Sequence, residues 1–248
     1  MGCNNCSVIL IAHNEEANIA LMIQRLMEGY TDKILEMIIV DDASTDKTPE
    51  IVKDLICRYP KVKLISKSPP CGVGYAMKRG LREVNTQADY VLTMDSDFIE
   101  SIPEVKLLLE EAQNGKEAII GSRFLKDSKL IGYPKSKWIA NRFYHFMVRL
   151  VLGILQHDIT NNLKLYKSDI FKKIPLRSNG FAINAEIGIL PVLFGFDLTE
   201  VPVSWIERSG TMGKSKFSIF RVWLDYALSL FWCFLVKVNR QIKYSHKC

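Results

Sequence analysis

The chain has 248 residues, 48% of them hydrophobic and 24% charged, with a formal net charge of +6. That length and apolar content suffice for one well-packed domain and exclude a disordered, collagen-like or low-complexity chain. The moderate basic excess thickens toward the C-terminus and is compatible with phosphate-rich ligands, an anionic membrane surface or nucleic acid, without choosing among them.

Taken in chain order, the residues before position 7 are polar and the apolar run 8–12 is short, so no signal peptide is expected. Cys3 and Cys6 form a CxxC with no second pair at zinc-site spacing. Cys57, Cys71 and Cys233 read as reduced residues in or near the core. Strands are predicted over residues 7–12, 36–40, 62–66, 90–94 and 117–120, alternating with helices over 18–28, 48–59, 74–84 and 103–113. Ser44, Thr45 and Asp46 are turn or cap residues for the second helix, and Pro49 lies near its first turn. This alternation predicts an α/β fold, a mostly parallel twisted sheet flanked by helices. Beyond Phe124 the pattern becomes a long apolar helix or helix pair over 138–155, a strand over 163–166, a helix over 182–192 and a returning strand over 198–205. A basic, Gly-containing loop from Arg208 to Lys216 follows. Residues 222–238 are apolar and aromatic but carry Asp225 and lead into Lys237, Arg240 and Lys243. They are marginal for crossing a roughly 30 Å hydrocarbon layer and better suited to lying at its interface. With no repeat and no long linker, the chain divides into one domain over 1–217 and an amphipathic helical tail over 218–248.

Open α/β sheets bind ligands outside the carboxyl ends of their strands. Four polar clusters, at 12–16, 41–46, 95–97 and 121–123, each follow such a strand and should converge on one edge. Asp95-Ser96-Asp97 brings two carboxylates close together, and a hard divalent cation would relieve their repulsion while bridging phosphate oxygens. The other reading is a polar turn that caps the next helix. Asp41-Asp42 with Ser44-Thr45-Asp46 is either a ribose or base contact or a well-capped turn. Asn14-Glu15-Glu16 is either a ribose contact or a helix start, and His13 is a wall or packing residue. The loop 69–74 matches neither a P-loop nor a dinucleotide fingerprint, so its glycines are expected to let backbone pass close to a nucleotide or a neighbour. Arg123 could pair bidentately with phosphate. Arg208, Lys214 and Lys216 could stabilise a departing diphosphate, or simply form a solubilising loop. Basic residues do not interleave with aromatics, and no helix-turn-helix or zinc-finger spacing occurs, so nucleic acid is not expected as a partner.

Together these segments resemble the family-2, GT-A type glycosyltransferases, most of all the dolichyl- or polyprenyl-phosphate mannose and glucose synthases. The matching pieces are SVILIAHNEEANI (7–19), IIVDDASTDKT (38–48), GVGYAMKRG (72–80), ADYVLTMDSD (88–97), AIIGSRF (118–124), DITNNLKLY (158–166), GFAINAEI (180–187), EVPVSWIERSG (200–210) and GKSKF (213–217). The resemblance implies a GT-A fold and an inverting transfer of a hexose from GDP-mannose or a UDP-hexose, with Mg²⁺ or Mn²⁺ held by Asp95 and Asp97. It implies a donor site formed by Ala12, His13, Glu15, Val40, Asp42, Asp95, Ser96, Asp97 and Arg123. Asp97, Asp158, Glu186 and Arg208 fall at positions close to the reaction centre. Arg142, Arg208, Lys214 and Lys216 fall near donor or acceptor phosphates. The implied acceptor is a polyprenyl phosphate, reached by an enzyme peripheral to the cytoplasmic face of a membrane. A phosphate oxygen is already anionic and needs no strong base, whereas a glycan hydroxyl would call on Asp158 or Glu186. The chain departs from the family pattern at Ile11-Ala12-His13, at Ile99, in the run Asp158-Ile159-Thr160-Asn161-Asn162-Leu163 and in the longer basic loop. Rival readings are a metal-dependent sugar nucleotidyltransferase and a non-enzymatic sugar-nucleotide or membrane-associated module.

Overall fold

Three strands form the centre of the sheet because their residues are apolar on both faces, as strands covered by helices on either side must be. They are β1 (Cys6–Ala12), β2 (Ile34–Asp41) and β4 (Tyr90–Asp95), and nearly every position in them is buried. In this computed structural model residues 5–66, 68–206 and 219–245 are described. β3 (Val62–Ser66), β5 (Ala118–Ser122), β7 (Lys164–Lys167) and β8 (Leu198–Pro202) complete a seven-stranded sheet of order β3-β2-β1-β4-β7-β5-β8. All neighbours pair in parallel except β7, which runs antiparallel to both β4 and β5.

Helices cover both faces. On one lie α1 (Ile19–Tyr30), α2 (Thr48–Arg58) and α4 (Val105–Gln113). α1 buries Ile19, Met22, Ile23, Leu26 and Met27, the spacing of a single helical stripe. The other face carries α3 (Val73–Arg82), α5 (Lys135–Leu152), α7 (Ile183–Leu193) and α8 (Ile219–Ser245). Leu230, Cys233 and Val236 of α8 are buried in the same core as α7. The short α6 (Ser168–Lys173) was not foreseen.

Two predicted elements change form. The helix expected over 103–113 begins with a 3₁₀ turn, Ile99–Glu104, around Pro103. The strand expected over 198–205 stops at Pro202, which has no N–H to give a ladder. The chain then leaves the sheet, Glu104 accepts the Ser204 N–H at 2.7 Å, and β9 (Trp205–Ile206) pairs with β6 (Leu130–Ile131) in a separate ribbon. The long helix expected over 138–155 starts three residues earlier, after Pro134, and ends at Gly153, whose φ of 72° closes it in a left-handed cap. Of the cysteines, Cys6 and Cys233 are buried, but Cys57 and Cys71 are exposed, contrary to the near-core reading.

Candidate functional site

The strand order reverses between β1 and β4, the switch point where open α/β sheets have a crevice. The parallel register sets Ile11 beside Asp95 and Ala12 beside Asp41, so the acidic ends of β1, β2 and β4 open at one edge. A cleft of about 2120 Å³ begins there and runs out between α5 and α8. That is larger than the several hundred Å³ typical of a single small-molecule pocket, and leaves room for two substrates.

His13, Glu15, Asp42, Asp95, Ser96, Asp97 and Arg123 all line this cleft. Ala12 and Val40 do not: both side chains are fully buried in the sheet and act only through the backbone they hold. The turn after β1 is clasped by the turn after β2. Ser44 Oγ accepts the Asn14 N–H at 2.9 Å, Thr48 Oγ1 that of Glu15 at 2.8 Å, and Asp46 Oδ2 that of Glu16 at 3.1 Å. Asn14 takes a φ of 56°, a left-handed conformation asparagine tolerates. Ser44 and Asp46, read as turn or cap residues, thus hold the neighbouring loop, and Asp46 also accepts the Thr48 N–H at 3.0 Å. Asp42 accepts the Gly72 N–H at 2.7 Å, and its carbonyl lies 2.8 Å from Nδ1 of His13.

Gly72 and Gly74 explain the glycine-rich loop by close approach to protein. A Cβ on Gly72, at φ 144°, would stand 2.6 Å from the Asn179 carbonyl, and one on Gly74 2.4 Å from the Ser178 carbonyl. The Asn179 carbonyl also accepts the Gly74 N–H at 2.9 Å. Glu186 anchors this segment: its carboxylate accepts the N–H groups of Arg177 and Ser178 at 2.7 and 3.0 Å and also the Ser178 hydroxyl. It is buried and does not line the cleft.

Asp158 is likewise enclosed. It accepts bidentately from Arg123, Nε at 2.7 Å and one terminal nitrogen at 2.9 Å, and takes the Arg123 backbone N–H at 3.0 Å. Burial opposes its charge, but the Arg123 guanidinium, those hydrogen bonds and His145 prevail and hold the carboxyl at about 2. Arg123 thus reaches the cleft with its guanidinium already committed to Asp158, between the rings of Phe124 and Tyr133. Arg142 stacks at 3.7 Å on Phe124 and donates to Asn141 and to the His157 carbonyl, while its Nε is buried without a hydrogen-bond partner. Lys137 lines the cleft beside Asn141, and burial followed by the nearby Arg123 charge lowers its pKa. Arg208, Lys214 and Lys216 lie outside the described residues.

His145 links α5 to the segment carrying Asp158. One ring nitrogen lies 2.8 Å from the Asn141 carbonyl and the other accepts the Ile159 N–H at 3.0 Å, an arrangement that needs the neutral ring. Burial, against the pull of Asp158, brings its pKa down to about 4. The unfolded ring binds a proton near pH 6.5 and the folded ring does not, so this contribution to stability is full above about pH 6.5 and declines as pH falls toward 4. Thermal unfolding followed from pH 7 to pH 4 is expected to show a falling midpoint, with a shallower slope in His145→Gln; parallel slopes would disprove the assignment.

Sequence reading missed Lys137, Asn141, Tyr133 and Tyr226 as cleft residues, and Asn162 beside Asp95. Tyr226 comes from α8 and meets Tyr144 of α5 edge to face, with centroids 5.0 Å apart, across the gap between the helices. Lys137 had the signal of a basic residue at a helix start, Asn162 lay in the matched segment DITNNLKLY and Tyr226 in the apolar stretch 222–238, while Asn141 and Tyr133 had none.

The outer cleft is apolar, formed by Phe143, Met147 and Leu150 of α5 and Trp223, Phe231 and Phe234 of α8. Ile139, Phe143, Phe146 and Leu150 make an exposed stripe on α5, and Trp223, Leu224, Leu228 and Phe231 another on α8. By length and composition Val222–Ile242, with a mean hydropathy of 1.3, is also long and apolar enough to cross a membrane.

Polyprenol monophosphomannose synthase of Mycolicibacterium smegmatis is 27% identical over 216 residues, covering 85% of this chain and 80% of that one. The undecaprenyl-phosphate mannosyltransferase of Micrococcus luteus is 26% identical over 214 residues, covering 85% and 86%. Among solved structures, glucosyl-3-phosphoglycerate synthase from Mycobacterium tuberculosis, crystallised with Mn²⁺, UDP-glucose and phosphoglyceric acid, superposes with a TM-score of 0.70 at 19% identity. It covers 93% of this chain and 80% of its own, and establishes the GT-A fold. The profile of Glycosyl transferase family 2 matches residues 7–175, and the chain belongs to that family of glycosyltransferases.

Proposed function

We propose that this glycosyltransferase moves a hexose, with inversion, from a nucleoside diphosphate sugar to a polyprenyl phosphate at a membrane surface. The observation that carries this reading is a single cleft, acidic at the strand ends and apolar between α5 and α8. A phosphate head with an isoprenoid chain follows the same order, charged then apolar, with Lys137 and Arg123 rather than the carboxylates facing its negative charge. The relatives, one named for making polyprenol monophosphomannose and the other an undecaprenyl-phosphate mannosyltransferase, support it.

In this proposal Asp42, Glu15 and His13 face the nucleoside, and Asp95 and Asp97 hold Mg²⁺ or Mn²⁺. Among the described residues no cluster of three or more His, Cys, Asp or Glu forms, so within them two carboxylates are the share offered to the cation. Such a share suits a hard cation that takes its remaining ligands from phosphate and water. When bound, the cation supplies positive charge to the diphosphate. An acceptor phosphate oxygen attacks the anomeric carbon as the bond to the diphosphate breaks. Lys137 holds the acceptor phosphate and Arg123, kept rigid by Asp158, stands beside it, whereas Arg142 does not line the cleft and packs on Phe124. No general base is required, which agrees with Asp158 and Glu186 both having their oxygens occupied by donors. The exposed stripes of α5 and α8 rest in the headgroup region of the cytoplasmic face, with Arg149 and Arg240 near anionic lipid.

A donor panel of GDP-mannose, UDP-glucose and related sugars, assayed with Mg²⁺ or Mn²⁺ and undecaprenyl phosphate, tests this by release of nucleoside diphosphate. Turnover is expected only with the lipid phosphate present. Release of pyrophosphate, or equal turnover on a simple glycan, would reject the assignment.

A further inference from the structure

Tyr226 lines the cleft where its charged part gives way to its apolar part. The other described residues that α8 brings there are Val222, Trp223, Ala227, Leu230, Phe231 and Phe234, so Tyr226 supplies the one hydroxyl on that wall. Packing fixes its ring, which meets the Tyr144 ring at 88° and lies partly buried against the core that α7 and α8 share. The hydroxyl takes no part in this packing. Among the described residues it makes no hydrogen bond, and it opens to the cleft, whereas the Tyr144 hydroxyl is sealed in the protein.

The charges that act on this hydroxyl are those of the proposed reaction site. Burial pushes its phenol above the ordinary range, Arg123 pulls it back, and Asp95 and Asp158 add to the rise, so the group stays a neutral donor near neutral pH. Phenylalanine would keep the same ring contact with Tyr144 without placing a polar atom on an apolar wall. In the empty cleft water can satisfy the hydroxyl. Once a hydrocarbon chain fills the outer cleft and excludes water, the ligand must offer an acceptor atom at this point or leave a buried donor unpaired. A phosphate oxygen is the strongest acceptor a lipid could present there, because it is charged.

We propose that the Tyr226 hydroxyl binds the phosphate of the lipid acceptor, donating to one of its oxygens where the isoprenoid chain begins, and so makes α8 part of the active site. This rests on the reading of a polyprenyl phosphate acceptor. It assigns a ligand contact to a helix outside residues 7–175, the segment that the family profile matches.

The test is binding of undecaprenyl phosphate and of undecaprenol, in mixed micelles, to the full chain. Tryptophan fluorescence follows it, since Trp205 and Trp223 line the cleft, and melting temperatures are measured alongside. Tyr226→Phe is expected to weaken undecaprenyl phosphate binding about tenfold to a hundredfold, the scale of a hydrogen bond to a charged group. Undecaprenol binding, the melting temperature and binding of GDP or UDP with Mn²⁺ are expected to match the parent. Equal affinity of parent and variant for undecaprenyl phosphate overturns the proposal and leaves the lipid phosphate reading intact. So does a loss shared equally by undecaprenol, which marks a packing role, or a loss confined to the nucleotides, which puts the hydroxyl on the donor. A parent protein that binds the two lipids alike overturns both readings.

Discussion

Asp97→Asn is expected to lower turnover roughly 10²–10³-fold, the scale of removing one preorganised contact to developing charge, while leaving the melting temperature close to that of the parent. The two effects separate because Asp97 lines the cleft and asparagine keeps its size and polarity while removing its charge. Asp97 lines the cleft with Asp95 at the end of β4, where the diphosphate of the donor is proposed to lie. Its contribution is therefore to ligand charge rather than to packing. Initial rates of nucleoside diphosphate release, across a Mg²⁺ and Mn²⁺ titration and after chelation, provide the measurement. Turnover that survives both chelation and the substitution would eliminate the metal-dependent mechanism. A binding module without catalysis would instead retain its sugar-nucleotide affinity and show no turnover in the parent protein.

Asp158→Ala should have the opposite profile, a large loss of stability. The side chain is fully buried, and its removal takes from the Arg123 guanidinium its bidentate partner and nearest counter-charge, leaving only the weaker pull of Asp95. Breaking a buried pair from one side costs about 3–5 kcal/mol, which in a domain of this size lowers the melting midpoint on the order of 10 °C. The double variant Asp158→Leu with Arg123→Met should be less destabilised than the sum of the single changes, because no charge is left unpaired. The pH dependence has a definite sign. The folded carboxyl titrates at about 2, below its ordinary value, so the pair's contribution is full above about pH 4 and is lost as pH falls through 2. Were Asp158 instead the base for a sugar hydroxyl, Asp158→Asn would leave the midpoint nearly unchanged and remove a basic limb from the pH–rate profile. A carboxyl held at about 2 is poorly matched to base chemistry near neutral pH.

The contrast between these residues shows where sequence reading had purchase. Asp95 and Asp97 stood out because they interrupt an unbroken apolar strand, a local pattern with local meaning. Asp158 and Glu186 were legible only as polar residues in a matched segment. Their partners are Arg123, 35 residues away, and the N–H groups of Arg177 and Ser178, and no periodicity encodes either set. The glycines of 72–74 were readable as a place of close backbone approach, but the approaching chain is the Ser178–Asn179 segment, which reaches them only in the folded state.

By itself the sequence determined the alternation of strands and helices, the α/β class, the convergence of acidic strand ends and the family. The first three follow from burial patterns within windows of ten residues or so, where the hydrophobic effect and backbone geometry act on neighbours, and the family from the ordered combination of matched segments. Only the tertiary structure decided that Arg123 is committed to Asp158, that Asn162 holds Asp95, and that α5 and α8 together form an apolar continuation of the cleft. Each of these depends on hydrogen bonds or packing between segments far apart in the chain. Their geometry is selected by the whole core, which brings together groups that share no sequence neighbourhood.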